Sequence, residues 1–213
     1  CFTSMFLFIL EPRRKPKILQ LRYKKQGSAV ALRIKSQWYK EDTERSLEEI
    51  AGALAFNAWK LAKDRAITLH GKSFIYESDR QRLNVISEYL IFQIQMVDRM
   101  VHQSLEQGDR QKLITALALR LAEHVQENGC ELLGTGDYGN QFIALLNQRS
   151  REYSELGFGD DGPGYPFMRH LGYEIQQLMG ASQENRWVID QVMDMDAPEI
   201  YKQMKRTLRN LFM

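Results

Sequence analysis

Residues 88–97, EYLIFQIQMV, constrain the fold more than any other stretch. Wound as a helix they are apolar nearly all round, and a helix with no polar face has to be covered on every side by the rest of the chain. Ser78 followed by Gln81 is a capping-box signature, so the spacing predicts that this helix starts there and runs to about Leu105. A central helix of this kind asks for a bundle around it.

The flanking sequence supplies that bundle. From about residue 43 the pattern SLEEIAGALAFNAWKLAKDRAITL puts Leu47, Ile50, Leu54, Ala58 and Leu61 on one face, and His70-Gly71 reads as its stop. Its alanines leave room for a neighbouring helix to approach closely. Gly108 and Asp109 read as a stop and a new N-cap. The next helix carries Ile114, Leu117, Leu121 and Val125 and is expected to end at Glu127-Asn128-Gly129. LLGTGDYGN reads as a loop. A helix from about Asn140 to Leu156 then sets Phe142, Leu146, Arg149 and Tyr153 on one side, and another is expected over 166–179. Ser182 and Asp196 are candidate caps, Asp196 with Glu199 at the capping-box spacing. The last segment, YKQMKRTLRNLFM, is an amphipathic basic helix, suited to packing on the bundle or to lying on a partner or membrane surface.

The front of the chain reads differently. Leu19, Leu21 and Tyr23 alternate with polar residues, as do Val30, Leu32 and Ile34, on either side of KKQGS; this is a hairpin signal. The expected fold is therefore mainly α, a bundle of five to seven helices over 43–213, with a basic β-hairpin segment over 1–42. Residues 11–40 hold ten Lys/Arg and one acid, a charge of +9 in a chain of net +2, which leaves about −7 for the remainder. By parity Arg22, Lys24, Arg33 and Lys35 project from one hairpin face, extended by Arg13 and Arg14. Such a surface can neutralise phosphates, dock on an acidic protein or a second copy, or serve as a solvated strand edge.

Two phosphate-binding motifs are present in outline only. GFGDDG, 157–162, fits G-x-G-x-x-G, but a helical, polar stretch precedes it and Asp160 and Asp161 sit where a phosphate would lie. It reads as a corner between helices, with Phe158, Tyr165 and Phe167 pinning it to the body and Pro163 and Pro166 delaying the next helix. HGKS, 70–73, has Ala66 where a P-loop needs its first glycine, and falls at a helix end. No cofactor is expected from either. Of the two cysteines, Cys130 has acidic neighbours that blunt a thiolate, and so few cysteines suit a reducing, cytoplasmic setting.

Histidine–carboxylate pairs are the remaining chemistry. Asp98 and His102 share a helix face, as do His170 and Glu174. With helices two and three antiparallel, His124 lies level with residue 92 and about 15 Å along the axis from His102. That register leaves it free to meet Glu88 instead, a single contact of the kind that more often serves as a structural hydrogen bond. Asp98, His102 and Gln95 read as a solvated stripe. The pattern supports two functions of different class. One is a non-catalytic adaptor presenting Arg22, Lys24, Arg33, Lys35, Arg13 and Arg14 to an acidic partner, with a protein or a second copy favoured over nucleic acid. The other is a metal-dependent enzyme housed in the bundle, using Glu88 and His124 or His170 and Glu174. No apolar run is long enough for a transmembrane span.

Overall fold

The computed structural model describes residues 46–71, 74–180 and 187–212. The expected hairpin, with Arg13, Arg14, Arg22, Lys24, Arg33 and Lys35, lies outside the described residues, as do Lys72, Ser73 and the candidate cap Ser182. What is described is mainly helical, the last two of its helices being joined through a π-helical turn. Helix α1 (Leu47–Gly71) opens on a capping box: Ser46 Oγ accepts from the Glu49 amide at 3.2 Å, and Glu49 accepts from the Ser46 amide at 3.0 Å. Its buried alanines 51, 55, 58, 62 and 66 bring it into close, extensive packing on α3 (Gln107–Leu133).

Helix α2 (Asp79–Val101) is the central element. Ser78 Oγ accepts from the Gln81 amide at 3.1 Å, and every residue from Val85 to Val97 is buried. Its neighbours are α1, α3, α4 (Tyr138–Ser154), α5 (Tyr165–Met179) and α7 (Ala197–Phe212), so the helix with no polar face is enclosed as its composition requires.

Helix α3 departs from the expected end. It starts at Gln107, with Asp109 in its first turn paired to Lys112 rather than capping. It then continues through Glu127-Asn128-Gly129 to Leu133. Glycine inside a helix costs about 1 kcal/mol relative to alanine. Here the missing side chain makes room: a Cβ on Gly129 would stand 2.5 Å from the buried Tyr138 ring. Tyr138 donates to the Gly134 carbonyl at 3.1 Å, and the Gln126 amide group closes the corner through Gly136 and Gly139. Packing of one aromatic ring thus overrides the local stop signal.

The GFGDDG corner is a short antiparallel pair, β1 (Phe158–Gly159) with β2 (Gly162–Pro163), turning at Asp160-Asp161. Gly162 has φ +117°, and a Cβ there would meet the Tyr201 ring at 2.5 Å. Phe158 and Phe167 pack together, centroids 5.5 Å apart, whereas Tyr165 is exposed and does not pin the corner. Pro166 lies in the first turn of α5, where a missing N–H is harmless, so it does not delay the helix.

Helix α6 (Val188–Gln191), a π-helical turn (Val192–Asp196) and α7 run on without a break. The extra residue in the turn carries Asp196 into the core. It is 1% exposed and accepts from Tyr89 Oη at 2.6 Å and from Gln191 at 3.4 Å, with Arg65 at 4.0 Å. The expected cap at Asp196 is therefore a buried acceptor, and Glu199 bonds Gln203 instead. On α7, Ile200, Met204 and Leu208 are buried while Lys202, Lys205, Arg206 and Arg209 are exposed. Among the described residues no helix is long and apolar enough to cross a membrane.

Candidate functional site: a buried arginine, carboxylate and histidine cluster

Three helices deliver charged side chains to one place. Glu88 points from α2, whose whole circumference is covered, so its carboxylate has no route to water and is 2% exposed. Arg149 lies in the core-facing stripe of α4 with Phe142, Leu146 and Tyr153 and is equally forced inward. The two meet: Arg149 Nε donates to both Glu88 oxygens at 3.1 Å, and Nη2 to Oε1 at 2.8 Å. Arg149 Nη2 also donates to Glu174 Oε2 on α5, and Nη1 to Glu152 Oε2 at 2.9 Å. His170, one turn before Glu174, places Nε2 3.1 Å from Glu152 Oε2 and Nδ1 3.9 Å from Glu174 Oε1.

The electrostatics follow from burial and from one guanidinium shared among three carboxylates. Loss of solvent raises the Glu88 carboxyl above its ordinary range, and the Arg149 hydrogen bonds and charge only partly oppose this. At Glu152 the smaller desolvation effect is overcome by hydrogen bonds from Gln148 and Arg149, so its carboxyl lies below the ordinary range. Burial lowers and the carboxylates raise the Arg149 guanidinium; the carboxylates prevail and it stays charged. Three carboxylates share one guanidinium, a formal charge of −2 for these four side chains.

Tyr153 forms one wall. Its ring stands edge-on to His170, centroids 4.8 Å apart, and packs on Phe92 and Phe167. Its hydroxyl is fully buried with no hydrogen-bond partner among the described residues. Burial first, and then the Glu88 charge, push that phenol well above its ordinary range.

Of the residues singled out as metal ligands, Glu88, His170 and Glu174 share this cluster. His124 does not: it faces Trp59 of α1, ring centroids 5.8 Å apart, because its side of α3 packs on α1. The His124–Glu88 meeting that the register allowed is replaced by the Arg149–Glu88 pair. Nothing in the local sequence pattern marks Glu152, and helical spacing places Arg149 only as a member of a stripe. The usable signal was an arginine on an apolar stripe and a glutamate on a helix without a solvent face, since two such charges must find each other.

The stripe read as solvated is also a constructed pair. Arg110 holds Asp98 through two hydrogen bonds of 2.7 and 2.6 Å, and its Nη1 is 2.6 Å from His102 Nδ1. Gln95 is buried and donates to Ser150 at 2.8 Å. This pair borders a groove of about 980 Å³, whose other walls include Arg99, Phe158, Tyr201 and Lys205. Cys130 lies within α3, not past its end, and is exposed. No protein-family model, curated protein or solved structure matches the chain.

Proposed function

We propose that the chain is a non-catalytic binding module that offers cationic surface to an acidic protein partner. The uneven charge carries this reading: +9 over residues 11–40 against about −7 in the remainder of a +2 chain. The helical body adds Lys202, Lys205, Arg206 and Arg209, exposed on α7. Lys205 and Arg209 border the groove, and Phe158, Leu208 and Phe212 contribute apolar surface to it. The groove itself mixes Lys205, Arg209 and Arg99 with Glu155 and Asp160 around apolar Phe158, Leu208 and Phe212, a lining better suited to a protein segment than to the uniform phosphates of a duplex.

The test is fluorescence anisotropy at about 50 and about 200 mM salt with two labelled probes, an acidic amphipathic peptide and a nucleic-acid duplex. Two variants accompany the wild type, one with Arg22, Lys24, Arg33 and Lys35 changed to Gln, the other with Lys202, Lys205, Arg206 and Arg209 changed to Gln. Peptide binding that weakens with salt and is lost in either variant supports the reading. Duplex binding alone transfers the basic surface to nucleic acid, and binding of neither probe refutes the proposal. Sedimentation of the chain alone reports whether a second copy is the acidic partner.

A second reading, a metal-dependent enzyme, is favoured by the meeting of Glu88, His170 and Glu174 in one cluster. Its first requirement is a metal ion retained by the wild-type chain and lost in His170→Ala.

A further inference from the structure

We infer that Glu152, His170 and Glu174 form a site for one divalent transition-metal ion, with Zn²⁺ the best match. One carboxylate oxygen from each glutamate and one imidazole nitrogen lie within 4.8 Å of one another. Donors around a common Zn²⁺ stand about 3–3.5 Å apart, given bonds of about 2.0–2.2 Å, so binding requires the carboxylates to close by about 1–2 Å and the His170 ring, which now turns Nε2 to Glu152 and Nδ1 to Glu174, to present one nitrogen to the ion. His170 and Glu174 are fixed one turn apart on α5, and Glu152 faces them from α4.

Charge argues for the same ion. Counted formally, Glu88 and Arg149 balance as a pair and leave the carboxylates of Glu152 and Glu174, whose charge a divalent cation matches. Arg149 then serves to orient the carboxylates from behind, as outer-shell partners do in metal sites. An imidazole beside two carboxylates suits Zn²⁺ better than Ca²⁺ or Mg²⁺, which prefer oxygen alone.

An independent observation points to a ligand here. The Tyr153 ring stands edge-on to His170, and its hydroxyl is fully buried with no partner among the described residues. The charges that act on it are those of Glu88, Arg149, Glu174 and Glu152. A buried hydroxyl left without a partner is costly, and a metal-held water would satisfy it. Glu152 is one-third exposed, which leaves the ion a way in from solvent and a fourth position for water.

The inference deepens the second reading and is independent of peptide binding, so either can fail alone. Equilibrium dialysis of the full chain against Zn²⁺ is expected to show one equivalent bound. The Kd is expected to rise by about tenfold or more in His170→Ala and Glu174→Gln, since loss of even an outer-shell partner has effects of that order. Cys130→Ser is expected to bind normally, which separates the site from the exposed thiol. Glu174 and Glu152 both pair with Arg149, so Glu152→Gln, at the more exposed rim, is the second variant, and the fold of every variant is checked by circular dichroism. No equivalent bound at micromolar Zn²⁺ overturns the proposal. So does unchanged affinity in folded His170→Ala and Glu152→Gln.

Discussion

Replacing Arg149 with methionine tests whether the cluster is held together as described. The substitution keeps most of the apolar stem and removes the guanidinium. Glu88 then loses three hydrogen bonds of 3.1, 3.1 and 2.8 Å while remaining 2% exposed, and Glu174 loses its bond from Nη2. Breaking a buried pair from one side costs about 3–5 kcal/mol, because an uncompensated charge is left behind. For a chain of this length each kcal/mol is worth about 2–4 °C, so a drop in Tm of about 6–20 °C is expected at pH 7. The assay is thermal and urea unfolding with a chelator present, so that no bound ion contributes.

The pH dependence carries the diagnosis. Burial already raises the Glu88 carboxyl, and loss of Arg149 raises it further. Below the ordinary carboxylate range, about pH 4, Glu88 is protonated in both folded and unfolded states and costs little. As pH rises, the unfolded chain releases a proton that the folded one retains, so the variant loses stability relative to wild type with increasing pH. Adding Glu88→Gln is expected to restore a substantial part of the loss. A penalty below about 1 kcal/mol that does not change with pH, or a double variant no more stable than the sum of the single effects, would refute the reasoning.

Other expectations follow from single positions. Tyr89→Phe removes the 2.6 Å hydrogen bond to the 1%-exposed Asp196 and is expected to cost about 1.5–3 kcal/mol at neutral pH. Burial raises the Asp196 carboxyl and the Tyr89 hydroxyl holds it down, so this penalty shrinks as pH falls and the acid takes up its proton; urea unfolding at neutral and acid pH measures it. Gly129→Ala puts a Cβ 2.5 Å from the Tyr138 ring and is expected to cost about 1–3 kcal/mol. Gly52→Ala, in the same kind of helical interior but with nothing within 4 Å, is expected to stabilise by about 0.5–1 kcal/mol, and paired thermal scans separate the two.

The sequence by itself determined that the chain builds a helical bundle around residues 88–97, because a helix apolar nearly all round has to be covered on every side. It also located the apolar stripes of α1, α4 and α7 and the Ser78 cap, all properties of residues three or four apart. Phosphate binding at GFGDDG was already disfavoured by its two aspartates. Tertiary structure decided where local rules had to yield. Gly129 stays helical because Tyr138 fills the space it leaves, and Asp196 turns inward because the π-turn meets Tyr89. Which charges would meet was also beyond the sequence. Helical spacing pairs His170 with Glu174, but only the packing of α2, α4 and α5 brings Glu88, Arg149 and Glu152 to them and leaves His124 against Trp59. Periodicity specifies which face a residue occupies; the register between helices, fixed by their packed side chains, specifies what that face meets.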